Sequence, residues 1–100
     1  MNMHNPPHPG EFIRETYLLP FEISERFVSQ QLGVSPSTFN RLVKEESSIS
    51  PDMAIRLSAV LGRSPESWLQ MQAQYDLWHS NQQIKNKLKK IDFDKLHNAA

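Results

Sequence analysis

The chain has 100 residues, 38% of them hydrophobic and 22% charged, which suits one compact domain with a real core and leaves no room for a second, catalytic one. It has no cysteine, so disulfides and thiolate metal sites are excluded, and its 11 basic and 11 acidic residues cancel. The cations are unevenly placed: residues 1–62 hold five Lys/Arg against seven Asp/Glu, and residues 63–100 hold six against four, mainly through Lys85, Lys87, Lys89 and Lys90.

The opening MNMHNPPHPGEF lacks the basic, apolar and cleavage regions of a secretory signal. No apolar run approaches the roughly 18 residues that a membrane span needs. A cytoplasmic protein without a membrane segment is therefore expected. Residues 1–7 read as an N-terminal arm, residues 8–79 as the folded domain, and residues 80–100 as a basic tail, helical or disordered.

Proline and glycine divide the domain into five helices. Proline is favoured at the first helical position, where its missing N–H costs nothing, above all after a Ser cap. His8-Pro9 opens a first helix to about Leu18, with Phe12, Ile13 and Tyr17 near one face and Glu11 at its positive end. A second begins after the cap Ser24 and runs to Leu32, placing Phe27, Val28 and Leu32 inward. Gly33 stops it, because glycine accepts the left-handed conformation that ends helices. Ser35-Pro36 opens a third helix to about Glu45, with Phe39, Leu42 and Val43 on one buried stripe. Ser50-Pro51 opens a fourth to Leu61, with Met53, Ala54, Leu57, Val60 and Leu61 inward, and Gly62 ends it. Ser64-Pro65 opens a fifth that reaches at least Trp78. Nothing reads as a strand, so the fold class is all-α.

Two short helices joined by Gly33-Val34-Ser35 meet the demands of a helix-turn-helix. Ser29 is small where the second helix must cross closely, and Gly33 takes the sharp turn. Val28, Leu32, Val34, Phe39 and Leu42 lock the crossing angle, and the outer face of the second helix is polar enough for the major groove. That face presents Ser37, Thr38, Asn40, Arg41 and Lys44. Arg41 suits the O6/N7 edge of guanine and Asn40 the N6/N7 edge of adenine. The hydroxyls of Ser35, Ser37 and Thr38 suit a phosphate or a base edge. Lys44 and Arg26 would supply charge to the backbone, and the helix starts at Ser24 and Ser50 would offer N–H groups to phosphates. The bland alternative is an ordinary surface helix, polar outside and apolar inside.

In the fifth helix Trp68, Met71, Tyr75 and Trp78 form one aromatic-rich stripe, read as a homodimer interface or as a cap on the domain's own core. A two-fold dimer would set two recognition helices about 34–36 Å apart and read an inverted repeat. His4, His8, His79 and His97 show no helical ligand pair with a flanking acid, and no Ser, His and acid cluster emerges. Neither a metal, nor a cofactor, nor catalysis is expected. The Lys85–Lys90 run is a solvated tail, a DNA-facing charge, or a segment that folds on an acidic partner.

Residues 8–78 resemble the lambda-repressor-like, or XRE-type, helix-turn-helix proteins, and specifically the HigA antitoxin family. The likeness rests on HPGEFIRE at 8–15, LGVSPSTFNRLVKEESSISPDMAIRLSAVLG at 32–62 and, most specifically, SPESWLQMQAQYDL at 64–77. It implies a protein that neutralises a small messenger-RNA endonuclease toxin and represses its own operon as a dimer. It puts Ser35, Ser37, Thr38, Asn40 and Arg41 on recognition positions. Where the family carries a neutral or basic loop, this chain has KEESS, with Glu45 and Glu46 beside the DNA. A plain dimeric repressor without a toxin, or a protein-interaction adaptor of the same shape, are the competing readings.

Overall fold

The computed structural model describes residues 5–84 and 86–99; His4, Lys85 and the side chain of His97 lie outside the described residues. Every regular element among the described residues is helical. Helix α1 spans Pro9–Ile13 and continues as a π-helical stretch, Arg14–Leu18; then come α2 (Glu25–Leu32), α3 (Pro36–Val43), α4 (Pro51–Leu61), α5 (Pro65–Ile84) and α6 (Phe93–Ala99).

The serine caps form as the sequence implies. Ser24, Ser35 and Ser50 each accept a hydrogen bond from the backbone N–H three residues on, and the Ser64 hydroxyl does the same for Ser67. His8 caps α1 through Nδ1, which accepts from the Gly10 N–H at 2.9 Å. Gly33 lies at φ 74°, left-handed as expected. α6 lies in the tail read as helical or disordered; Asp92 opens it, its carboxylate accepting from the Lys95 N–H at 3.2 Å.

The core joins Ile13 and Leu18 from the first helical segment, Val28 and Leu32 from α2, and Phe39, Leu42 and Val43 from α3. Met53, Ala54 and Leu57 from α4 and Trp68 from α5 complete it, with Ile49 from the α3–α4 loop. Two expected core residues lie elsewhere. Phe27 is 50% exposed, because 100° per residue puts it roughly 140–160° around α2 from the buried Ser29 and Leu32. Val60, in the last turn of α4, is 37% exposed.

Trp68 is a correction of a different kind. Placed in a dimer stripe by its spacing, it is fully buried inside its own domain. Its ring meets Phe12 edge-on at 5.8 Å and Tyr17 at 6.5 Å, and its indole N–H donates to the Gly62 carbonyl at 2.8 Å. The Arg63 guanidinium lies over the Phe12 ring at 5.0 Å and near Trp68 at 5.8 Å. The cause is that the first turns of α5 are covered by the first helical segment, so a stripe along one helix changes from core to surface on the way. Met71 is half-buried against that core. Tyr75 and Trp78, further along, are half-buried and accompany the exposed Leu77 and Ile84.

Gly10 fixes how closely α1 meets α3. A Cβ there would stand 2.0 Å from the Leu42 carbonyl oxygen and 3.1 Å from the Val43 Cα, so only glycine allows this approach.

Candidate nucleic-acid interface

The α2–turn–α3 unit is held from several sides. Ser29 is fully buried where the helices cross, and its hydroxyl donates to the Arg26 carbonyl at 2.8 Å, so the small residue leaves no unsatisfied polar atom. The Val34 N–H returns to the Ser29 carbonyl at 3.1 Å, closing the end of α2. Arg56 of α4 then donates from Nη1 to the Leu32 carbonyl at 2.8 Å, while its Nε bonds Asp52 at 2.8 Å. A free carbonyl at the end of α2 is thereby tied to α4. This role for Arg56 escaped the sequence reading, since it joins residues 24 apart.

On the far side, Arg14 donates from Nη1 to the Val43 carbonyl at 2.9 Å and pairs with Glu45 at 3.6 Å. Arg14 thus serves the C-terminal end of α3, where a cation is favourable. It also offsets one of the two acids that the loop brings beside the recognition helix. Glu45 itself sits at φ 65°, where α3 ends, and the Glu46 N–H bonds the Arg41 carbonyl at 2.8 Å.

The outer face of α3 carries Ser37, Arg41 and Lys44 exposed, with Thr38 and Asn40 half-buried. Ser35 is chiefly a cap: its oxygen accepts from the Thr38 N–H at 3.1 Å, and its hydroxyl donates to Thr38 Oγ1 at 2.8 Å, with Ser37 Oγ 3.2 Å away. Ser24 and Ser50 are exposed at their helix starts, each occupied by its capping bond. Arg26, Arg41 and Lys44 take part in no ion pair among the described residues, whose two pairs are Arg14–Glu45 and Arg56–Asp52. Three unpaired cations therefore stand on or beside one helix-turn-helix, in a chain whose total charge is zero.

Asn40 has a partner that spacing could not show. Its side-chain Nδ2 donates to Glu25 Oε1 at 2.8 Å, across the turn. One amide hydrogen is held, and the other, with Oδ1, remains for a base edge. The bond fixes the direction of the Asn40 amide and brings a carboxylate to the same surface.

Behind this face, the loop that leads to Ser50 is anchored to α5. The Ile49 N–H donates to Gln72 Oε1 at 2.9 Å, and Gln72 Nε2 donates to Asp76 at 3.1 Å. His8 braces the same loop. Its ring is buried, meets Tyr75 edge-on at 4.8 Å and lies beside the Ser47 backbone. Burial lowers its pKa below 6.5, against the opposing pull of Glu45, the Ser47 backbone, Asp76 and Glu11. Among the described residues no group of three or more His, Asp or Glu is placed to hold a metal ion, and no helix is long and apolar enough to cross a membrane.

Residues 15–68 match the helix-turn-helix family. The chain is 46% identical over 70 residues to virulence-associated protein I of Dichelobacter nodosus, covering 70% of this chain and 65% of that one. It is 34% identical to antitoxin GraA as solved with its operator, with a TM-score of 0.80 over 91% of this chain and 96% of that one. It is 36% identical to the Pseudomonas aeruginosa antitoxin HigA solved with the higBA promoter, with a TM-score of 0.77 over 86% and 98%.

Proposed function

Because this chain belongs to the helix-turn-helix family that includes the HigA-type antitoxins, we propose that it is the antitoxin of a toxin–antitoxin pair and the repressor of its own operon. The observation that carries this reading is the outer face of α3. Its Arg41 and Lys44 are exposed and unpaired, on a fold shared with two antitoxins solved on operator or promoter DNA. Arg41 and Asn40 read base edges, while Ser37 and Thr38 contact bases or phosphate near the helix start. Lys44, Arg26 and the N-termini of α2 and α4 at Ser24 and Ser50 position the protein on the backbone. Ser35 orders the start of α3 rather than reaching outward itself.

The protein acts as a homodimer, joined through the later part of α5, where Tyr75, Leu77, Trp78 and Ile84 remain at least partly exposed. Two-fold symmetry places the recognition helices about 34–36 Å apart on successive major grooves. The partner neutralised is a small messenger-RNA endonuclease, bound in the cytoplasm, and the chain itself is no enzyme. Footprinting on the DNA upstream of the gene tests the repressor half. An inverted repeat with half-sites one helical turn apart supports it, and uniform protection that disappears with rising salt contradicts it.

A further inference from the structure

The corner where the first helical segment meets α2 exposes apolar surface that the DNA face does not use. Leu19 is 61% exposed, Phe21 68% and Phe27 50%, all within the connection or the first turn of α2. The backbone holds them firmly. The Phe21 N–H bonds the Tyr17 carbonyl at 3.3 Å, Glu22 bonds Leu19 at 3.3 Å, and Ile23 bonds Leu18 at 3.1 Å. Glu22 occupies φ 53°, an uncommon conformation for a residue with a side chain, in a turn that directs Phe21 and Glu22 to solvent.

The charges around this corner are mainly acidic. Glu15 and Glu22 are exposed, and neither is paired with a cation among the described residues. Glu25 is bonded to Asn40, and Arg14 is turned to the Val43 carbonyl and Glu45. Arg26, an exposed cation in the first turn of α2, belongs to the DNA set, and the exposed Arg63 is engaged over the Phe12 and Trp68 rings.

We infer that this corner is the seat of the toxin: Leu19, Phe21 and Phe27 meet an apolar patch on a cationic, RNA-cleaving partner, and Glu15 and Glu22 meet its basic rim. The inference rests on the antitoxin reading. Charge decides between occupants. A protein that engages RNA presents a cationic surface to a polyanion, which complements this rim. A second copy of the chain would bring the same patch against itself, setting Glu15 and Glu22 near their own equivalents, and like charges so placed are unfavourable. The later part of α5, with uncharged Leu77, Trp78 and Ile84, has no such penalty and suits self-association. The toxin's seat then lies apart from the base-reading residues of α3 but adjoins the backbone-contacting start of α2 at Ser24 and Arg26.

The test uses the full chain co-purified with the product of the reading frame beside its gene. Binding of that product is measured for the parent, for Leu19→Ser/Phe21→Ser and for Glu15→Gln/Glu22→Gln. The apolar pair is expected to weaken it by about 30-fold or more, since two exposed anchors are lost. The acid pair is expected to weaken it by about 10-fold in low salt and less in high salt. Operator affinity within about two-fold of the parent verifies that both variants are folded. Undiminished binding by both variants overturns the assignment, as does loss of the homodimer with binding intact, which would make the corner a self-association surface. A parent that does not bind the adjacent product refutes the antitoxin reading itself, and the inference with it.

Discussion

Glu25 in the first turn of α2 accepts a 2.8 Å hydrogen bond from the side-chain amide of Asn40 on α3. The carboxylate aims the amide, yet it also sets a negative charge where phosphates approach. Removing it therefore acts twice, in opposite directions. Glu25→Ala is expected to flatten the preference at the base read by Asn40 by about 1 kcal/mol, while binding to unrelated DNA strengthens slightly. Titrations on the operator and on its single-base variants check this. Unchanged discrimination would show that the bond does not direct Asn40.

Arg41 and Lys44 should separate by kind of contact. Arg41→Ala is expected to lose roughly 1–3 kcal/mol of operator affinity and to relax preference at one base pair. Lys44→Ala is expected to weaken all sequences alike and reduce the slope of log affinity against log salt by about one. Both side chains are exposed, so urea midpoints should stay at the parent value. A uniform loss for Arg41→Ala would contradict its role as a base reader.

The approach of α1 to α3 depends on Gly10. The Leu42 oxygen 2.0 Å from a would-be Cβ is backbone and cannot rotate away. Gly10→Ala is expected to destabilise the fold by about 3 kcal/mol, the upper end of what overpacking in a tight core typically costs. Urea denaturation measures it, and a loss under about 0.5 kcal/mol, the size of an ordinary surface change, would show that the helices part freely.

His8 supplies a pH dependence with a definite sign. Burial holds its folded pKa below 6.5, and its Nδ1 lone pair is used to cap Gly10. The unfolded chain therefore binds a proton more readily. Stability from this residue is complete above about pH 6.5 and falls as pH drops from there to the folded pKa. Denaturation at pH 7.5 and 5.5 should show a larger decline for the parent than for His8→Asn, which retains a capping oxygen. Equal declines would indicate that His8 is protonated without strain.

The sequence made the local parts of this fold readable. Each Ser-Pro pair specifies a cap and a first turn within four residues, so α3, α4 and α5 begin where expected. Ser29 and Gly33 likewise mark the crossing and the turn by their size and conformational freedom. What could not be read depends on contacts between distant residues. Periodicity gives a stripe but not which end of it is covered, hence Trp68 lies inside the domain and Phe27 outside. Polar ties such as Asn40 to Glu25, Arg56 to Leu32 and Gln72 to Ile49 join residues 15, 24 and 23 positions apart. No short motif announces them, because each exists only after the helices pack.

The most direct test of the antitoxin reading is growth. The reading frame beside this gene is induced alone, with this chain, and with its Arg41→Ala variant. Arrest is expected on induction alone and recovery with either form, since neutralisation does not need the base-reading face. No arrest, or an arrest that the parent chain cannot relieve, would contradict the antitoxin reading and leave a helix-turn-helix repressor without a toxin.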